Sequence, residues 1–162
     1  MTRQDSMDWA RERWAAAGYP DPEHFTAMAA VLRLSQIIGT GLDKALRDQE
    51  LPRTAFLVLS TLQIATDQTL SMGQLSRRLI LHPTTISLAV DQLQAKGLVE
   101  RSPSPTDKRT ILARLTDDGA KSLRATTEAI RDARYGLDGV SERQAIALTE
   151  VVRGVRQALG DE

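Results

Sequence analysis

The chain has 162 residues, with 21 Lys and Arg, 21 Asp and Glu, two His and no Cys. This length fits one domain, and the lack of cysteine excludes a disulfide framework, thiol-based peroxide sensing and Cys-based zinc sites. No uncharged apolar run approaches the roughly 18 residues of a membrane span, so a cytoplasmic protein without membrane contact, metal or cofactor is expected.

The formal net charge is zero, but the charge is unevenly distributed. Residues 71–115 carry a net charge of +4, and the segments before and after them carry −2 each. A basic centre between acidic flanks is a weak but typical signature of a DNA-binding protein.

The N-terminal third predicts helices. A short helix over residues 7–17 carries Trp9 and Trp14 and ends at Gly18 and the prolines after it. Residues 23–49 place an apolar side chain at every third or fourth position, which indicates one long amphipathic helix. A third helix is predicted from Pro52 or Arg53 to about Thr66, followed by a turn at residues 67–69.

The middle of the chain predicts two helices separated by a tight bend. Ser71 is a candidate N-cap for a helix over residues 72–79. A bend over residues 80–82 leads to Pro83, which is favourable at the first position of a helix over residues 83–95. Gly97 supplies the left-handed residue that ends this helix.

After Gly97 the apolar period changes to two. Strands are predicted over residues 98–101 and 109–115, joined by a polar loop. Thr116 caps a helix to about Tyr135, and a last helix covers residues 142–159. The predicted fold is mainly α with a small β-hairpin wing. It forms one domain with a winged helix-turn-helix head at residues 51–116 and dimerisation helices at 1–50 and 117–162.

The helix over residues 83–95 suits the major groove of DNA, with its first turns aimed at base edges. Thr84, Thr85, Ser87, Leu88 and Asp91 point outward in this arrangement. Hydroxyl groups can reach bases or phosphates, and a leucine can touch a thymine methyl. The alternative is a polar face that is only solvated.

The hairpin loop ends in adjacent cations. Asp107 precedes Arg109 by two residues, close enough to pair with its guanidinium and hold it in one direction. An arginine at a hairpin tip suits insertion into a narrow minor groove. The alternative is a surface turn with an incidental ion pair that contributes about 0–1 kcal/mol.

Residues 53–120 resemble the MarR family (multiple antibiotic resistance regulators), and the flanking helices match its layout. No single motif is specific, but their ordered set is. The resemblance rests on LSRRL at 75–79, HPTTIS at 82–87, DQLQAKGLVER at 91–101, PTDKR at 105–109 and LTDDG at 115–119.

The resemblance implies a homodimer that binds a palindromic operator. It places the helix at 83–95 in the major groove and Arg109 in the minor groove, and the arginine that matches Arg101 commonly supports backbone binding. Many relatives carry an arginine where this chain has Leu88, which removes a candidate guanine contact. The DNA-binding candidates are Arg77, Pro83, Thr84, Thr85, Ser87, Leu88, Arg101, Asp107, Lys108 and Arg109.

The terminal helices have more apolar surface than one small head can cover, so burial against a second copy is expected. The alternative is packing within one chain.

Members of the MarR family often bind small anionic or phenolic compounds, and the extra N-terminal helix is similar to that of a subgroup with urate-responsive members. The candidate ligand residues are Trp14, Phe25, Met28, Arg33, Phe56 and Leu59. Alternatively, both tryptophans only hold the helix against the dimer core, and Arg33 is a surface or interface cation.

The sequence therefore predicts a DNA-binding transcriptional regulator, a homodimeric repressor released by a small aromatic or anionic effector. A winged-helix protein–protein module that never touches DNA is the alternative. An enzyme is not expected, because there is no nucleophile with a base, no clustered carboxylates, no glycine-rich phosphate loop and no metal-ligand spacing.

Overall fold

The computed structural model describes residues 5–161, so residues 1–4 and 162 of the predicted domain lie outside the described part. The elements are, in chain order, α1 (Ser6–Ala16), α2 (Pro22–Leu46), α3 (Arg53–Gln63), β1 (Thr69–Ser71), α4 (Met72–Leu79), α5 (Pro83–Ala95), β2 (Val99–Pro103), β3 (Ile111–Leu115), α6 (Asp117–Ala129) and α7 (Glu142–Ala158). Short 3-10 turns follow α2, α3 and α6. The predicted mainly helical winged fold is confirmed.

The hydrophobic core of the described residues is centred on the head. It combines the inner faces of α3, α4 and α5 with β1, β2 and β3, the C-terminal end of α2 and the inner face of α6. Leu59, Leu62 and Ile86 are completely buried, and Leu46 closes the core from α2. This burial holds α5 at a fixed position on the head surface.

The wing is part of a three-stranded antiparallel sheet with the order β1-β3-β2. Leu70 pairs with Ala113, and Arg101 pairs with Ala113 from the other side. The sequence prediction of a turn at residues 67–69 was wrong at Thr69, which begins β1. A strand of three residues has no pattern of its own and forms here because β3 offers a partner.

The C-terminal region is broken where the sequence predicts continuous helix. The helix that begins after Thr116 ends at Ala129 and not near Tyr135. Arg134, Tyr135 and Gly136 all have positive φ. The Gly136 backbone lies directly against the Ile38 carbonyl of α2, where a side chain would not fit, so contact with α2 decides the break.

The two ends of the chain form helices that stand largely apart from the core. Residues 22–38 of α2 contain no buried side chain, and neither do α1 and α7. We call α1, residues 22–38 and α7 the arms. Their exposed apolar side chains include Met28, Val31, Leu32, Ile37, Ile146, Val151, Val152 and Val155.

Candidate nucleic-acid interface

The turn between α4 and α5 is fixed by local hydrogen bonds. Ser71 and Gln74 cap α4 reciprocally, each side chain accepting the other's backbone N–H, which satisfies two otherwise unpaired donors. Ile80 takes a left-handed conformation with φ of 51°, and the Ser76 hydroxyl donates to the Leu81 carbonyl at 2.6 Å. Together these contacts set the angle at which α5 leaves α4.

The first turn of α5 is presented to solvent. Pro83 occupies the first helical position, and Nδ1 of His82 accepts the backbone N–H of Thr84 at 3.3 Å. Thr84, Thr85 and Leu88 are exposed, while the opposite face is buried through Ile86, Ala89, Val90 and Leu93. The predicted outward residues therefore share one face, with Ser87 half-buried at its edge.

Arg101 is turned toward α5. Its guanidinium pairs with the Asp91 carboxylate, and its Nη2 donates to the Ser87 carbonyl at 3.0 Å. The side chain is only 22% exposed. Arg101 therefore ties β2 to the middle of α5 and positions the helix relative to the wing. Sequence reasoning missed this bond, because ten residues and a strand junction separate its partners.

The wing loop is held by its own backbone and by Asp107. Oδ1 of Asp107 accepts the backbone N–H of Arg109 at 3.0 Å, and Oδ2 accepts the Thr110 hydroxyl at 2.8 Å. The sequence instead predicts an Asp107–guanidinium pair, and no such ion pair occurs among residues 5–161. The aspartate shapes the turn and leaves the arginine head group in solvent.

These two hydrogen bonds also lower the pKa of Asp107. Donation from the Arg109 backbone N–H, and then from the Thr110 hydroxyl, holds the pKa of Asp107 below its usual value of 3.8, because both donors favour the charged form. Asp107 is therefore ionised at neutral pH beside Lys108 and Arg109, both of which are exposed.

Arg77 is exposed in the last turn of α4, beside Arg78, which sequence reasoning did not single out. The signal in the sequence that could have identified Arg78 is the pair of adjacent arginines at positions 77 and 78. α4 and the wing thus bring arginine and lysine side chains to the same small head that carries the excess of positive charge.

The six candidate ligand residues fall into two groups within one chain. Trp14 stacks on Phe25 with ring centroids 3.8 Å apart and donates its indole N–H to the Pro20 carbonyl. Phe56 and Leu59 are buried in the head core, where Phe56 faces Tyr135. Tyr135 precedes the glycine that packs on Ile38. Phe25 lies 13 positions before Ile38 on α2, which corresponds to about 20 Å along the helix axis.

The other two candidates, Met28 and Arg33, are exposed on α2 between these groups. Trp14 holds α1 against α2 through these contacts, whereas Trp9, which the simpler interpretation of the sequence expects to do the same, is 55% exposed. A single chain therefore does not bring the six side chains around one shared cavity.

Comparison with known proteins places these features in a family context. A model described as MarR family matches residues 49–110. The chain is similar to Sco5413, a MarR family transcriptional regulator from Streptomyces coelicolor, with 27% identity and a TM-score of 0.75 over 86% of this chain and 96% of that one.

A second similar structure is Sco3205, a MarR family transcriptional regulator from the same organism solved in complex with DNA. It has 28% identity and a TM-score of 0.73, covering 87% of this chain and 91% of that one. A mutant MarR from E. coli complexed with operator DNA shares the fold at 22% identity and a TM-score of 0.70, over 82% of this chain and 95% of that one. No curated protein sequence matches the chain.

Proposed function

We propose that this chain is a transcriptional regulator of the MarR family and not an enzyme, because a MarR family model matches residues 49–110 and the similar structures are regulators of that family. We propose further that it is a homodimeric repressor. It binds a palindromic operator through α5 and the wing and is released by a small anionic effector. Regulators of this family are soluble DNA-binding proteins, so a cytoplasmic or nucleoid location is part of the proposal.

One observation carries the DNA-binding part: the exposed first half of α5 and the free Lys108 and Arg109 head groups belong to one rigid head. The helix inserts Pro83, Thr84, Thr85, Ser87 and Leu88 into the major groove. Arg109 enters the adjacent minor groove, where a narrow groove strengthens the negative potential. Arg77 and Lys108 bind phosphates, whereas Asp107 and Arg101 position the wing and α5.

The arms support the homodimer. In α7, apolar side chains at positions 148, 151, 152 and 155 lie on one helical face, and none of the seventeen residues of this helix is buried. An exposed apolar face of this size marks an interface. A two-fold dimer presents two recognition helices about 34–36 Å apart, one turn of B-form DNA, and therefore requires an operator with matching half-sites.

A membrane is the competing environment for α2. Residues 22–49 form the one helix, within the part of the chain that the structure describes, that is long and apolar enough to span a bilayer. However, Leu42 and Leu46 near its C-terminal end are buried in the head core. Arg33 in its middle would also cost about 2.5–3.5 kcal/mol at a bilayer centre. Both facts favour a second copy of the chain as the partner.

Arg33 supports the effector part of the proposal. It is the only Asp, Glu, Lys or Arg between Glu23 and Asp43, and the exposed Ile37 lies one turn after it on the same helical face. Dimerisation through this face partly desolvates the guanidinium, which then gains from an anionic partner. An aromatic acid supplies both the anion and apolar contact.

Repression follows from occupancy. A dimer that covers two successive turns of DNA at a promoter excludes other proteins from that site without needing a further activating surface. An effector that changes the distance between the two heads breaks the match with the DNA pitch and releases the operator.

The decisive experiment compares Arg109→Ala with Arg114→Ala in a gel-shift titration against a selected operator duplex. Arg114 is an exposed arginine of the neighbouring strand β3, but it pairs with Glu100 at 2.6 Å. We expect Arg109→Ala to weaken binding by about 1–3 kcal/mol and Arg114→Ala to have little effect. Wild-type binding should weaken steeply with salt.

Equal affinity for the wild type and Arg109→Ala would remove the wing from the interface. A flat salt response in the wild-type protein, with no preference over random duplex, would contradict DNA binding as a whole and favour a protein–protein module.

A further inference from the structure

The exposed face of α5 has no positive charge. None of the thirteen residues from Pro83 to Ala95 is Lys or Arg. Leu88 lies at the centre of this face and is 59% exposed. Thr84 and Thr85 lie one turn before it, and Gln92 lies one turn after it.

Asp91 is the one charged side chain of α5, and its carboxylate is already paired with another residue of the chain. Its carboxylate pairs with Arg101, whose second nitrogen is held by the Ser87 carbonyl. A carboxylate neutralised in this way is poorly suited to accept a hydrogen bond from a cytosine amino group. On the face centred on Leu88, the exposed groups beyond the first turn of α5 that remain free for base edges are therefore the Leu88 side chain and the Gln92 amide. Ser87 lies half-buried at the edge of this face.

These two groups select particular bases. In the major groove, guanine is most often read by Arg or Lys, adenine by Asn or Gln through N6 and N7, and thymine by apolar contact with its 5-methyl group. A helix without a cation lacks the commonest guanine contact. Where a base pair has no thymine methyl group, the leucine of this helix would contact only polar base edges, which is unfavourable.

We propose that α5 reads A·T base pairs at the centre of each half-site, with Leu88 on a thymine 5-methyl and Gln92 on a neighbouring adenine. This inference rests on the proposed function, which places α5 in the major groove. It assigns the two residues that determine sequence preference, whereas Arg109 and Lys108 mainly supply affinity.

The test begins with selection from a randomised duplex library by the full-length protein. Each thymine of the selected half-site is then replaced in turn by deoxyuridine, which removes only the methyl group. At one position per half-site, the wild-type protein should lose about fourfold in affinity, the value of one buried methyl group. Leu88→Ala should bind the thymine and deoxyuridine duplexes equally.

Two further variants sharpen the result. Ile64→Ala removes a more exposed apolar side chain at the end of α3 and should keep the full thymine effect. Gln92→Ala should become insensitive to 7-deazaadenine at the neighbouring position, because this analogue lacks N7. Leu88→Arg should shift the selected base toward guanine.

The outcomes separate the two levels of the proposal. Selection of a clear half-site with guanine opposite residue 88, or an equal deoxyuridine effect in the wild type and Leu88→Ala, overturns this inference and leaves DNA binding intact. A library that yields no enriched sequence overturns the proposed function, and this inference with it.

Discussion

The head and the arms differ in how far they bury their apolar side chains. In the head, Leu59 of α3 and Ile86 of α5 are fully buried within one chain. In the arms, Val151 and Ile146 of α7 are 65% and 55% exposed, and no residue of that helix is buried. The head completes its core within one chain, with the C-terminal end of α2 and the inner face of α6, whereas the arms present helices whose apolar faces have no cover in one chain.

This difference separates what each region contributes. Caps at Ser71, His82 and Thr116 and a closed core make the head a rigid unit whose reading surface is already formed. In the proposed dimer, the arms determine how two such units are spaced. Substitutions in the head should therefore change the free energy of unfolding, and substitutions in the arms should change assembly.

The largest expected effect on folding comes from Leu59→Ala. This side chain is completely buried, and its truncation should lower the free energy of unfolding by about 2–5 kcal/mol, because contacts are lost and a cavity remains. Urea denaturation followed by circular dichroism measures the change. Ile64→Ala on the same segment, at an 84% exposed position, should stay within about 0.5 kcal/mol. Equal losses in the two variants would contradict the contrast in burial.

The next effect concerns the arms. Val151→Glu combined with Val155→Glu places two charges on the apolar face of α7 and should give monomers in sedimentation velocity. Operator affinity should fall at least about 100-fold, because two linked heads no longer bind together. Gln157→Glu adds a charge on the opposite side of the same helix and should leave the dimer intact. A double variant that remains dimeric would show that α7 does not form the interface.

The elements of the head were predictable because their signals are local. The bounds of α4 and α5 follow from Ser71 and Pro83, and Gly97 adopts the expected positive φ. The end of α6 was not predictable from the sequence. The left-handed conformation of residues 134–136 depends on the close approach of α2, which is distant in the sequence. β1 depends in the same way on pairing with β3.

The sequence identifies the candidate interface residues but does not predict the contacts that they make within the chain. Asp107 and Arg109 do interact, yet the bond is to the backbone N–H, since the turn brings this donor nearer than the long side chain. The Arg101–Asp91 pair joins separate elements and needs the fold to be seen. The candidate ligand residues at the two ends of α2 share a site only if a partner brings them together, which one sequence cannot show.

The smallest expected effect tests whether the head's rigidity extends to the tip of the wing. Asp107→Ala removes both acceptors and should weaken operator binding a few-fold, because the loop loses the turn that fixes Arg109. Asp107→Asn keeps an acceptor for the Arg109 N–H and should bind like the wild type or slightly more tightly, since a negative charge near DNA is removed. Gel-shift titrations at one salt concentration compare the three proteins.

The pH dependence of the wing follows from the same hydrogen bonds. The pKa of Asp107 is lower in the folded wing than in an unfolded chain. The stabilisation that ionised Asp107 gives to the folded wing is therefore complete above its usual pKa of 3.8. It is lost as the pH falls through the lower pKa of the folded state. Between about pH 5 and 8 the affinity ratio of Asp107→Ala to the wild type should be constant. A ratio that changes across this range would mean that another titrating group, and not the fixed turn, sets the direction of Arg109.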